Sequence, residues 1–209
     1  MSQPYDSLIF DMDGTLWDAV DSYAEIWNAT SRELGVDRVV TRDDLLRYMG
    51  RPLNEIFHAL FDGMNVDAEK YQKLVAENDP KMMPVLGGKL YDGVKEGIAR
   101  LAKKYKLTMV SNCGATGLPD FLKFTGLTPY FIDTLSNGEN GLDKAENIRL
   151  IAERNNLKNP AYVGDIQRDS DAAHAAGIDM IHVTYGFGKC NDAQLSFDSF
   201  AELTDYLTK

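Results

Sequence analysis

The chain has 209 residues, 44% hydrophobic and 26% charged, which is enough for one large domain, or a core with a smaller insert, around a sizeable buried interior. Its 22 Lys+Arg against 32 Asp+Glu leave a formal charge of -10, which argues against broad binding to nucleic acid or to an anionic membrane surface. The two cysteines, Cys113 and Cys190, make neither a disulfide framework nor a zinc pattern.

The opening stretch, MSQPYDSLIF, lacks a basic region followed by a long apolar run, and no run of about 18 apolar residues occurs anywhere. The expectation is a cytoplasmic protein without a signal peptide or membrane span. Ser7–Phe10 is a short apolar run that stops at Asp11. The same pattern recurs at Leu107–Val110 before Ser111-Asn112, at Ala161–Val163 before Gly164-Asp165, and at Met180–Val183 before Thr184. Ile132–Leu135 is a weaker fifth run. Continuous apolar runs of this length fit strands covered on both faces, as in a parallel sheet.

Helical patterns separate these runs. Val94, Ile98, Leu101 and Tyr105 recur at helical spacing, as do Ile148, Ile151, Ala152 and Asn155. Asp169 to Ala176 reads as a helix closed by Gly177, with Asp169 available as its N-cap. Alternating strands and helices predict an α/β fold, a Rossmann-like doubly wound and mostly parallel sheet.

The stretch 17–83 departs from that alternation, because its patterns are helical throughout. Val20, Tyr23, Trp27, Thr30 and Leu34 share one helix face. Thr41-Arg42-Asp43-Asp44 reads as a variant capping box for a second helix. Ile56, Phe57, Leu60 and Phe61 form a third stripe, and Asp67 is placed to cap a fourth helix carrying Tyr71, Leu74 and Val75. Pro84 and Gly87-Gly88 mark the return. The domain reading is therefore a catalytic core of residues 1–16 and 84–209, with an α-helical cap, 17–83, inserted after the first strand. That strand end belongs to the sheet edge where open α/β sheets bind ligands.

Polar residues collect at this edge: Asp11 and Asp13, Ser111 and Asn112, Lys144 in the turn LDKAEN, and Asp165 with Asp169. Carboxylates this close repel one another or hold protons. A divalent cation relieves the repulsion, and all-oxygen ligands favour Mg²⁺. Lys144, Ser111, Asn112 and loop N–H groups would complete a site for a phosphate dianion. A calcium loop starting at Asp11 is excluded, since its sixth and twelfth positions are Leu16 and Ser22.

These residues resemble the motifs of the haloacid dehalogenase superfamily, within it the capped phosphatases of the phosphoglycolate-phosphatase-like branch. DMDGT at Asp11–Thr15, VSN at Val110–Asn112, Lys144, and VGDIQRD at Val163–Asp169 stand in the family's order. The resemblance implies Asp11 as nucleophile, Asp13 as general acid/base, Ser111 as a phosphoryl ligand and Lys144 as the charge-balancing cation. Gly14, Thr15, Asn112 and the cap residue Arg51 would contact substrate. Mg²⁺ would be held by the Asp11 side chain, the Asp13 backbone carbonyl and the Asp165 side chain, with Asp169 behind them bonding the lysine. The implied activity is Mg²⁺-dependent hydrolysis of a small phosphorylated metabolite, phosphoglycolate-like or a sugar phosphate, through an aspartyl-phosphate.

Two alternatives share the fold. One is a phosphosugar mutase similar to β-phosphoglucomutase, against which stand Tyr23 in place of a cap histidine and Thr15 in place of a hydrophobic residue. The other is a silent binding protein, against which stands the complete set Asp11, Asp13, Lys144 and Asp165. Cys113 reads as a small buried filler, the glycines of the loop Thr184 to Cys190 as turn residues, and the three histidines show no ligand spacing.

Overall fold

The computed structural model describes residues 5–209; residues 1–4, with which the expected core segment 1–16 begins, lie outside the described residues. The chain opens with β1 (Ser7–Phe10) and a two-residue strand β2 (Trp17–Asp18), followed by α1 (Val20–Leu34), α2 (Arg42–Leu46), α3 (Leu53–Phe61) and α4 (Ala68–Leu86). The strand β3 (Lys89–Leu90) then leads to α5 (Val94–Leu101), β4 (Lys106–Ser111), α6 (Gly117–Thr125), β5 (Asp133–Ser136) and the short α7 (Asn137–Asn140). The last third is α8 (Lys144–Arg154), β6 (Pro160–Gly164), α9 (Gln167–Ala176), β7 (Asp179–Val183), β8 (Leu195–Phe197) and α10 (Phe200–Thr208).

Six strands form one sheet in the order β5-β4-β1-β6-β7-β8, and every pairing in it is parallel. β1 is central, between β4 and β6. Its side chains alternate between two buried layers: Leu8 and Phe10 join one hydrophobic cluster with α5, α6 and α10, and Ile9 joins another with α8 and α9. This explains the unbroken apolar runs of the sequence. All strands of the sheet point the same way, so β1, β4 and β6 release their next residues at one edge. Those residues are Asp11, Asp165 and Asn112, the last of them just beyond Ser111, with which β4 ends.

The expected helix signals operate at several places. Thr41 and Asp44 form a reciprocal capping box on α2, and Asp67 accepts a hydrogen bond from the Lys70 N–H at the start of α4. Gly177 closes α9 in a left-handed conformation. α9, however, starts at Gln167, so Asp169 is its third residue rather than its N-cap; its carboxylate still accepts from the Asp165 and Ile166 N–H groups.

Pro84 does not end the helical stretch. α4 runs through Pro80 and Pro84 to Leu86. A proline in an isolated helix interior costs about 3 kcal/mol. Here α4 packs along α1 and buries Tyr71, Val75, Asn78 and Met83, so tertiary burial outweighs that cost. The connections leaving and rejoining the sheet run side by side as the antiparallel pair β2–β3, which has no apolar stripe to announce it. Among the described residues no helix is long and apolar enough to cross a membrane.

Candidate active site

At the sheet edge Asp11 and Asp165, each 1% exposed, meet Asp169, which is fully buried. One carboxylate oxygen from each lies within 4.8 Å of the others. Lys144, the first residue of α8, reaches in from the next helix: its Nζ is 3.0 Å from Asp11 Oδ1 and 2.6 Å from Asp169 Oδ1. The capping box of Asp143 with Glu146 sets the start of α8 and hence the position of this lysine. Burial alone would lower the Lys144 ammonium pKa, but the Asp11 and Asp169 carboxylates outweigh it and hold the group charged, well above its usual range. Burial drives the Asp11 carboxyl above its ordinary value, against the pull of Lys144.

Lys144→Ala leaves two buried carboxylates without their cation. The expected loss of stability is about 3–5 kcal/mol, read as a lower melting temperature of the metal-free protein. An unchanged melting temperature would mean that the pair contributes nothing to the fold.

Asp13 stands apart from this cluster. Trp17 Nε1 donates to its Oδ1 at 2.9 Å, and the Tyr23 hydroxyl lies 3.2–3.3 Å from both its oxygens. Burial, then the Asp11 carboxylate, pushes Asp13 up to about 8, against those two hydrogen bonds. In the metal-free protein Asp13 therefore holds its proton near neutral pH while its neighbour is bonded to a lysine. Such divergence of paired carboxyls separates an acid from a nucleophile.

Asp165 is clamped from three sides. Thr15 Oγ1 donates to its Oδ1 at 3.2 Å, the Phe187 N–H donates to its Oδ2 at 2.7 Å, and His182 Nε2 lies 3.2 Å from its backbone carbonyl. A Cβ on Gly14 would stand 2.2 Å from Asp165 Oδ2, and Gly14 has φ +82; a Cβ on Gly186 would lie 2.3 Å from Asp165 Cβ. Only glycine lets the two loops close this tightly. The loop Thr184 to Cys190 thus orients an aspartate as well as making a turn. Of the expected substrate contacts, the Thr15 hydroxyl bonds Asp165 and the Gly14 N–H donates to the Trp17 carbonyl at 2.9 Å.

The donor set fits a hard divalent cation. Asp11 and Asp165 offer only oxygen, and both are buried together. Asp169 completes the same carboxylate group but is already engaged by Lys144 and two backbone N–H groups.

A cavity of about 120 Å³ opens between this edge and helices α1–α4. Asp11, Asp13, Ser111, Asn112 and Arg51 all line it. Asn112 Nδ2 also donates to the Gly50 carbonyl at 2.8 Å, and Arg168 of α9 makes a two-pronged ion pair with Glu55 of α3, so the helical segment is tied to the sheet edge. Arg51 lies 3.7 Å from Glu55. Cys113 is half-buried; it packs against the main hydrophobic cluster and also lines this cavity.

Sequence reasoning missed Asp79, which lines the cavity from α4. The signal was present: Asp79 lies four residues after Val75 and eight after Tyr71, so it interrupts an apolar stripe with a carboxylate. Burial raises it from 3.8 to about 6, and the Asp120 carboxylate adds to the rise. Between those values the folded protein keeps a proton that the unfolded chain has lost. Stability therefore falls as pH rises through this window, and the penalty is complete above about pH 6. Asp79→Asn removes the penalty. Its melting temperature is expected to exceed the parent's at pH 7.5, by the equivalent of about 3 kcal/mol at most, and to match it near pH 4. Equal melting temperatures at both pH values would show that the carboxylate costs the fold nothing.

A parallel α/β sheet with an acid-and-lysine cluster at its carboxyl edge under a helical segment defines a hydrolase of the haloacid dehalogenase type. The sequence matches the haloacid dehalogenase-like hydrolase family over residues 8–183, and the chain belongs to that family. It is 28% identical over 216 residues to a phosphoglycolate phosphatase of Photobacterium profundum, covering 95% of this chain and 93% of the relative. It is 31% identical over 181 residues to a pyrophosphatase of Listeria innocua, covering 81% and 79%. In fold it is similar to a crystal structure described as a predicted phosphoglycolate phosphatase from Haemophilus somnus, with a TM-score of 0.86, 20% identity and 99% of each chain covered.

Proposed function

We propose that this enzyme is a Mg²⁺-dependent phosphatase that hydrolyses a small phosphorylated metabolite through an aspartyl-phosphate on Asp11. The observation that carries the reading is the division of labour at one cavity: Asp11 bonded to Lys144, and Asp13 held apart by Trp17 and Tyr23 with its proton retained. Asp11 attacks phosphorus as the ester P–O bond breaks, and Asp13 gives its proton to the departing alcohol oxygen. Water then attacks the same phosphorus, Asp13 takes the water's proton, and the bond to Asp11 breaks to release inorganic phosphate. Ser111 holds a phosphoryl oxygen, and Lys144 keeps Asp11 oriented and offsets its charge. A Mg²⁺ bound by Asp11, Asp165 and the Asp13 carbonyl would shield the repulsion between nucleophile and phosphate.

The same proposal includes the division into core (1–16 and 84–209) and cap (17–83), with the cap's last helix extending to Leu86. A cap of this size closes over a soluble metabolite and excludes bulk water. Its substrate is thus a small molecule of the cytoplasm rather than nucleic acid or lipid.

The test is phosphate release from a panel of phosphomonoesters with and without metal. Release should fall to background with EDTA and return with excess Mg²⁺. Independently of turnover, Mg²⁺ at 100 times its dissociation constant should stabilise the protein by about 2.7 kcal/mol. Neither release nor a stability shift, from folded protein, would remove the reading.

A further inference from the structure

Asp79 has no part in the chemistry just described, yet it occupies the cavity in which that chemistry would take place. Its Oδ1 is buried and without a hydrogen-bond partner among the described residues. Its Oδ2 lies 3.8 Å from the point where a Cβ on Gly114, another lining residue, would stand. An ionised carboxylate only accepts hydrogen bonds, and a buried acceptor left unmatched is costly. The cap wall around it, including Ile26, Trp27, Leu45 and Val75, is apolar. The cations of the cavity region are engaged elsewhere: Lys144 with Asp11 and Asp169, and Arg51 beside Glu55. Asp13, the proposed proton donor to the departing alcohol, lines the same cavity, and the negative charge of Asp79 adds to the rise in its pKa.

We propose that Asp79 selects the leaving alcohol. The substrate is a small phosphomonoester whose alcohol carries a second hydrogen-bond donor, a hydroxyl or an ammonium group, and no carboxylate. The proposal rests on the phosphatase reading and deepens it. A donor satisfies Asp79, whereas a substrate carboxylate would be brought up against the Asp79 carboxylate in an enclosed space. The cavity measures about 120 Å³. Since benzene enters an apolar cavity of about 150 Å³, the space suits a phosphate with a short carbon skeleton. The phosphoglycolate named for the Photobacterium relative bears a carboxylate in that place, so this chain would part from that relative in substrate.

The experiment compares kcat/KM for glycerol 1-phosphate, phosphoethanolamine, 2-phosphoglycolate and p-nitrophenyl phosphate, which has no donor. The protein is the full chain with Mg²⁺, as parent, Asp79→Asn and Asp79→Leu. The parent should favour the better donor-bearing ester over 2-phosphoglycolate by at least about 10-fold. In Asp79→Leu the ratio of that ester to p-nitrophenyl phosphate should fall roughly 10- to 100-fold, and the relative rate on 2-phosphoglycolate should rise. A general loss of structure would lower all four rates together and leave the ratios alone. A larger fall for phosphoethanolamine than for glycerol 1-phosphate in Asp79→Asn assigns an ammonium; similar small falls assign a hydroxyl.

Unchanged ratios in variants that melt as the parent does, a parent that prefers 2-phosphoglycolate, or turnover of p-nitrophenyl phosphate alone would each overturn the proposal. A folded parent that cleaves none of the four esters would overturn the phosphatase reading itself, and this inference with it.

Discussion

Asp11→Asn is expected to lower phosphate release by at least about 10⁴-fold without lowering the melting temperature. An amide cannot attack phosphorus, so the loss is chemical. The fold should tolerate the change because Asp11 is crowded by Asp165 and Asp169, all within 4.8 Å, and burial already disfavours its charge. Lys144 retains Asp169 as a partner at 2.6 Å. Neutralising one of three clustered carboxylates therefore holds or raises the stability of the metal-free protein. With p-nitrophenyl phosphate the variant should show no burst of p-nitrophenol, and labelled phosphate should not attach to the protein. Residual activity within 10-fold of the parent would move the nucleophile elsewhere.

The second large effect belongs to Asp13→Asn, and its signature differs. Loss of a general acid/base lowers steady-state turnover by roughly 10²- to 10⁴-fold. The two half-reactions should respond unequally. p-Nitrophenolate departs with little help from an acid, so Asp11 should still be phosphorylated and a burst of about one equivalent should appear. Hydrolysis of the phosphoenzyme then stalls, because the amide cannot take a proton from water. An alkyl phosphate, whose alkoxide needs the proton, should lose the burst as well. Trp17 and Tyr23 remain to hold the amide in place of the carboxyl. Loss of the burst with both esters would contradict the division of roles between the two aspartates.

Much of this arrangement is legible in the sequence because it is local or periodic. β1 reads as a doubly buried strand since Leu8, Ile9 and Phe10 alternate between two covered faces. The capping box at Thr41 and the closing glycine at Gly177 are signals contained within a few residues. The clustering of Asp11, Lys144 and Asp165 follows from direction alone: parallel strands release their ends at one edge, and each polar residue comes immediately after a strand or opens a helix.

Other features depend on contacts between distant segments, where a residue's own pattern is silent. α4 passes through two prolines because its burial against α1 exceeds a penalty that local propensity would treat as decisive. Gly14 and Gly186 look like ordinary turn glycines until Asp165 is seen between them. Thr15 has a hydroxyl suited to a substrate, yet that hydroxyl bonds an aspartate 150 positions away. Asp79 on its own is one charged residue in a helix of mixed charge; folding α4 over the sheet edge brings it into the cavity that Asp13 also lines. Periodicity and capping are set by interactions between near neighbours in the chain, so composition and spacing reveal the strands, the helices and the motif residues at their ends. Burial, charge coupling and close approach of loops are set by which surfaces meet, and only the packed molecule determines which carboxylate keeps its proton and which faces the ligand.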